Sequence, residues 1–178
     1  MGDHVLLVTG SRHWPDWDKV LIALAGVAHR RPDDRLVLFH GQCDPRRPGP
    51  QPGTFQTVSW YQATHLDLAA QSKLLGGDWL ADWAARQLGG WVIERYPADW
   101  DRCGRRAGMI RNLAMVQEIT RRMTAGATAE CVALVASCID PRCAGQEPHS
   151  SHGAMDCATK AKKAGIPGRM IRTGDNDG

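Results

Sequence analysis

Arg111 and Asn112 lie one turn into an amphipathic stretch that opens at Gly104-Arg105-Arg106-Ala107-Gly108, which is where a protein holds an anion. Small residues let the backbone approach a ligand, and unpaired N–H groups at a helix N-terminus point outward. A guanidinium one turn in offers a forked donor that matches phosphate. Just upstream, Pro97-Ala98-Asp99-Trp100 adds a carboxylate and an indole suited to stacking on a base. The chemistry indicated is recognition of a phosphorylated small molecule.

The elements that must position these groups read as alternating strands and helices. Val5-Leu6-Leu7-Val8 is an apolar run ending at Thr9-Gly10-Ser11-Arg12, and the helical pattern after it puts Trp17, Val20, Leu21, Leu24 and Val27 on one face. Leu36 to Phe39 leads to His40-Gly41, Trp91 to Ile93 leads to the Asp99 segment, and Cys131 to Ala136 precedes a loop and a helix from about Gly153 to Ala164. Arg169 to Arg172 reads as a last edge strand. Helices are expected over Asp78 to Leu88, with Leu80, Trp83, Ala84 and Leu88 inward, and from about Arg106 to Met123, with Met109, Asn112, Val116, Ile119 and Met123 inward. Such alternation predicts an α/β fold: a Rossmann-like three-layer sandwich with a mainly parallel central sheet. Ligands of such sheets bind beyond the C-terminal ends of the strands, where each of these glycine-containing turns falls.

Residues 42–76 break the rhythm with Pro45, Pro48, Pro50 and Pro52 before a helix across Trp60 to Leu75. They read as an insertion in a single domain spanning 1–178, a surface excursion that packs its own aromatics or serves as a lid or partner surface. Thr173 to Gly178 reads as a frayed tail. With 22 Lys plus Arg against 19 Asp plus Glu, the balance of +3 is too small to argue for duplex nucleic acid. No leader pattern and no run of about 18 apolar residues is present, so the expectation is a cytoplasmic protein with no membrane partner. The six cysteines are scattered, with Cys131 and Cys157 in apolar runs as core filler, and reduced thiols are expected.

Taken in order, Thr9-Gly10-Ser11-Arg12, His40-Gly41, Gly77-Asp78 with Ala81, Trp83 and Ala84, Pro97-Ala98-Asp99-Trp100, Ala107-Gly108 with Arg111, Asn112 and Met115, and Ser151 with Gly153 resemble one family. The chain resembles the YspA-like branch of the SLOG superfamily, apart from residues 42–76. That superfamily shares a Rossmann-like fold with the DprA proteins and the LOG phosphoribohydrolases, and its members are associated with nucleotides or nucleotide-derived signals. The resemblance implies that Gly10, Ser11, Arg12, Gly77, Asp78, Asp99, Arg111, Asn112, Ser151 and Gly153 line a nucleotide pocket; His40, Gly41 and Trp100 are added from their placement at strand ends. LOG enzymes break an N-glycosidic bond with an arginine in an Arg-Lys-x-x-Met segment and a glutamate after a Gly-Thr turn. Arg111-Asn112-x-x-Met115 is similar to the first. The second departs: Cys157 stands where the glutamate would fall and Asp156 one place early, a rotation of about 100° on a helix. Arg111, Asp156 and Asp99 are the candidate catalytic residues if such chemistry occurs.

Each residue also has a plainer role. Ser11, Asp78 and Asp99 fit helix or turn caps, Asn112 a satisfied polar core residue, and His13 and His40 hydrogen-bonded spectators. Cys138, Cys143, His149 and His152 offer four metal ligands within a short span, but the histidines are closer than the usual pair and no Cys-x-x-Cys knuckle is present. The loop is therefore expected to hold no metal and to cover the pocket as a polar strap. An oxidoreductase is disfavoured, since of a Gly-x-Gly-x-x-Gly fingerprint only Gly10 is present. The expected function is binding of a nucleotide or a phosphoribosyl or ADP-ribose-like molecule, as a sensor or processing protein without a cofactor. A phosphoribohydrolase and a DprA-like single-stranded nucleic-acid module are the alternatives, and a homodimer is compatible with the exposed stripe of the insertion.

Overall fold

The computed structural model describes residues 2–174, so most of the expected frayed tail lies outside the described residues. Five strands, β1 (Asp3–Gly10), β2 (Arg35–His40), β5 (Trp91–Arg95), β6 (Thr128–Val135) and β7 (Gly168–Arg172), form one sheet in the order β5-β2-β1-β6-β7. Every pairing in it is parallel. Helices α1 (Trp17–Arg30) and α4 (Gly77–Leu88) cover one face; α6 (Ala107–Thr124) and α7 (His152–Lys163) cover the other. This is the three-layer α/β architecture that the alternating pattern predicts.

β1 shows why. Successive side chains of a strand point to opposite faces. Leu6 and Val8 pack with Val20, Leu24 and Val27 of α1 and Leu80 and Ala84 of α4, while Val5 and Leu7 pack with Met115, Val116 and Ile119 of α6 and Cys157 and Ala161 of α7. A strand buried on both faces must be apolar throughout, and each such side chain contributes roughly 1.5–3 kcal/mol. The chain runs outward from β1 through β2 to β5, then crosses back to place β6 on the other side of β1. The strand order therefore reverses between β1 and β6, and a crevice opens at their C-terminal ends.

Three inward assignments differ. Leu88, Met109 and Trp17 are exposed, because Leu88 ends its helix beside Gly89-Gly90, Met109 lies before α6 reaches the sheet, and Trp17 opens α1 at the rim with its indole edge-on to Trp83 at 5.8 Å. Residues 42–76 form the hairpin β3 (Arg46–Pro48) and β4 (Phe55–Thr57) and two short helices, α2 (Trp60–Thr64) and α3 (Leu68–Ser72), rather than one helix to Leu75. Asp67 is the cause: its carboxylate accepts from Ala70 N at 2.8 Å and restarts the helix as a cap. The segment is no mere surface excursion, since Val58, Ala63 and Leu74 join the core and Trp60 stacks on His40 and meets Trp79 edge-on. The remaining helical turns, α5 (Trp100–Cys103) and a 3-10 turn over Gly104–Arg106, lead into α6.

Candidate functional site

A cleft of about 650 Å³ opens where the strand order reverses. Its floor is Thr9 and Gly10 at the end of β1. One wall comes from α5, the 3-10 turn and α6 through Trp100, Arg105, Gly108, Met109, Arg111 and Asn112. The loop after β6 and the first turns of α7 form another through Cys138 to Asp140, Arg142, Ser151 to Gly153 and Asp156. Arg12, His13, Cys43, Arg46 and Asp78 complete it. The volume is that of a small-molecule site.

Of the residues expected to line a pocket, Gly10, Arg12, Asp78, Trp100, Arg111, Asn112, Ser151, Gly153 and Asp156 do so. Arg12 and Arg111 converge on the same cavity, yet they are used differently. Arg12 is exposed. Arg111 is turned into the wall: its guanidinium donates to the carbonyls of Gly41 and, at 3.4 Å, Tyr96, to Asn112 Oδ1 at 2.8 Å and to Cys43 Sγ at 3.6 Å, with Asp78 at 3.8 Å. Burial, the largest single influence, works against its charge, but the Asp78 carboxylate and the Cys43 side chain together outweigh it and raise its pKa above the ordinary value. Arg111 thus builds the wall more than it offers a free fork. Asn112 extends the chain, donating to Asp156 Oδ2 at 2.9 Å and Gly153 O at 3.3 Å, and Asp156 also receives Lys160. The one-residue displacement of Asp156 does not turn it from the cleft, because Asn112 reaches across from α6 to hold it.

Five expected site residues are not among the lining, each for a visible reason. Ser11 is buried and its Oγ accepts from Ala136 N at 2.9 Å, joining the ends of β1 and β6. His40 is fully buried; its Nδ1 accepts from Gln42 N at 3.2 Å, so Nε2 carries the proton and donates to Asp82 at 3.1 Å. It shapes the turn in which Gln42 has a left-handed φ of 48°. Gly41 meets the Arg111 guanidinium where a side chain would have to be. Gly77 serves packing: a Cβ on it would lie 2.5 Å from Gly10 Cα. Asp99 caps α5, accepting from Arg102 N at 2.9 Å.

Sequence reading passed over Arg46, Cys43, Arg142 and the Ile139-Asp140 pair, and named Arg105 only within the anion-holding segment. Cys43 and Arg46 come from the segment set aside as an insertion; the signal available was topological, since loops that follow a parallel strand lie at the ligand edge. Burial first and the Asp78 carboxylate second push the Cys43 thiol up to about 12, so it stays protonated at neutral pH and is no nucleophile. Burial and the neighbouring Arg12 charge lower the pKa of Arg46. Burial, outweighing a hydrogen bond to Ser137 O, and then the Arg46 and Arg12 charges lower that of His13. Arg12, Arg46 and Arg105 have no carboxylate within 4.0 Å among the described residues, whereas Arg142 is paired to Asp140. α7 begins at the cleft with no side-chain cap and no acidic residue in its first turn, so its leading N–H groups are open to a ligand.

Fold and cleft together define a Rossmann-like α/β protein with an arginine-lined cleft at the strand-order reversal. The chain is 32% identical over 174 residues to the Gene 61 protein of Mycobacterium phage D29, covering 96% of each protein, and it belongs to that protein's family. No family model matches the chain, and no solved structure matches it. Among the described residues no helix is long and apolar enough to cross a membrane.

Proposed function

We propose that the cleft binds a nucleotide or nucleotide-derived phosphate ester, the ligand class implied by the SLOG resemblance. One observation carries this reading: Arg12, Arg46 and Arg105 line one cavity without a carboxylate partner among the described residues, and two of them repel each other. Phosphate oxygens relieve that repulsion, and each charge-assisted hydrogen bond formed is worth about 1.5–3 kcal/mol. The open amides of α7 supply further donors, and Trp100, 53% exposed at the rim, offers a face for a base. Calorimetric titration with AMP, ADP-ribose and adenosine tests it. The phosphorylated compounds bind, adenosine binds at least tenfold more weakly, and Arg12→Ala or Arg46→Ala weakens AMP by about tenfold, as loss of one such bond requires. Equal affinity for AMP and adenosine, or none for either phosphate, overturns the reading.

A second reading, N-glycosidic hydrolysis of a nucleoside monophosphate, is favoured by the placement of Asp156 in the cleft wall under the control of Asn112. A carboxylate there would stabilise positive charge developing on a ribose. Release of free base from AMP by the protein, abolished in Asp156→Asn, supports it; binding without release leaves the sensor.

A further inference from the structure

The loop between β6 and α7 has no apolar anchor. Between Ala136 and Ala154 no hydrophobic residue is buried among those described, and Ile139 is exposed. What the loop does bring together is Cys138, Cys143, His149 and His152, whose four ligand atoms all lie within 4.8 Å of one another. Cys143 Sγ is 3.8 Å from His152 Nε2, and His149 Nε2 is 2.9 Å from His152 Nε2. Zinc bonds of about 2.3 Å to sulfur and 2.0–2.1 Å to nitrogen at tetrahedral angles require edges of roughly 3.3–3.8 Å. The 3.8 Å sulfur–nitrogen edge already fits, the 2.9 Å nitrogen pair must open by about half an ångström, and a pair as far apart as 4.8 Å must close by about one ångström.

Local bonds prepare the ligands. His149 Nδ1 is 2.9 Å from the Glu147 carbonyl, which must accept, so the proton is on Nδ1 and the lone pair on Nε2 faces the cluster. Such an outer contact is what fixes the tautomer of metal-bound histidines. The Asp140 amide donates to Cys138 Sγ at 3.5 Å, which holds the sulfur in place beside the other ligand atoms. Backbone pairing sets the ligands side by side: Cys138 N donates to His149 O at 2.7 Å next to the bridge between Ser137 and Ser150, Cys143 closes a 3-10 turn, and His152 opens α7. The short gap between the histidines, which counts against a finger-type spacing in sequence, is accommodated because one lies on the strap and the other on the helix.

We infer that Cys138, Cys143, His149 and His152 bind a structural zinc ion that fastens the strap after β6 to the first turn of α7 and so forms one wall of the cleft. Two thiolates balance the charge of the ion, and a closed set of two sulfurs and two nitrogens selects zinc over oxygen-seeking magnesium or calcium. The inference is independent of what the cleft binds.

The test uses the full chain, without a histidine tag, expressed with zinc supplementation. Elemental analysis should give one zinc per chain, and Co²⁺ exchanged into the site should show visible d–d bands of a tetrahedral ion with sulfur-to-cobalt charge transfer. Cys143→Ser and His149→Ala should each lose at least tenfold in zinc affinity. Because a variant that fails to fold would also lose zinc, release of one equivalent of zinc from the wild type by a chelator, with two thiols becoming reactive at once, is read in parallel. Less than a tenth of an equivalent after loading, full zinc in both variants, or a Cys138–Cys143 disulfide seen as a 2 Da loss overturns the inference.

Discussion

Asp82 is a buried charge held by three cationic or imidazole partners. Its carboxylate, 1% exposed, accepts from His40 Nε2 at 3.1 Å, Arg86 Nε at 2.8 Å and Arg95 Nε at 2.6 Å. Burial alone would raise its pKa, but the hydrogen bonds from His40 and Arg95 outweigh burial and hold it well below the usual carboxylate range. A depressed folded-state pKa contributes stability that is complete above the unfolded value near 4 and is lost as pH falls toward the folded one. Asp82→Asn should therefore cost about 3 kcal/mol at pH 7, the lower end for breaking a buried pair because both arginines are partly solvated. Urea melts at pH 7, 5 and 3 should show the gap between wild type and variant narrowing below pH 4; a constant gap would sink the assignment. The plainer sequence reading of His40, a hydrogen-bonded spectator, matches this role, but its partner was not legible. An apolar strand ending in His-Gly announces a turn at the ligand edge, but whether the imidazole faces ligand or core depends on Asp82, 42 residues away on α4. Arg111 teaches the same lesson. Its place in the cleft followed from its position near a helix start, while its commitment to the Gly41 carbonyl depends on a partner 70 residues away.

At the scale of elements, the crossing of β1 and α4 sets how close the cleft floor comes to the helix that backs it. A Cβ on Gly77 would lie 2.5 Å from Gly10 Cα and 3.2 Å from Leu134 Cδ1, and backbone cannot swing aside as a side-chain tip can. Gly77→Ala should destabilise by about 1–3 kcal/mol in spite of the roughly 1 kcal/mol that alanine gains in a helix. Gly153, in the first turn of α7, has nothing within 4 Å of such an atom, and Gly153→Ala should keep or slightly raise the melting temperature. Equal melting of the two variants would show that the close approach does not matter. Elements of the sheet and its covering helices were legible because burial on both faces forces continuous apolar runs and a helical stripe marks each covering face. The segment 42–76 was not, because its hairpin strands are three residues each and its helices five, too short to show a period, and capping by Ser59 and Asp67 rather than hydrophobic spacing decides where the helices start.

For the whole molecule, the decisive feature is that an open parallel sheet creates a crevice where its strand order reverses, and this chain brings to that crevice three guanidiniums with no carboxylate partner among the described residues. An anion binding there should couple to global stability, since the walls come from β1, α6, α7 and the segment 42–76 and must all be in place at once. At AMP concentrations 100 times Kd, linkage adds about 2.7 kcal/mol. For a chain of this length that corresponds to a rise of roughly 5–10 °C in Tm. Arg12 is exposed and has no carboxylate within 4.0 Å among the described residues, so Arg12→Ala should leave the Tm without ligand within about 1–2 °C of wild type while removing about half of the AMP-dependent rise, as a tenfold weaker Kd requires. Thermal melts across an AMP series separate the two effects. An Arg12→Ala protein that melts much lower without ligand would make Arg12 a structural residue, and one that keeps the full AMP response would place the phosphate elsewhere in the cleft.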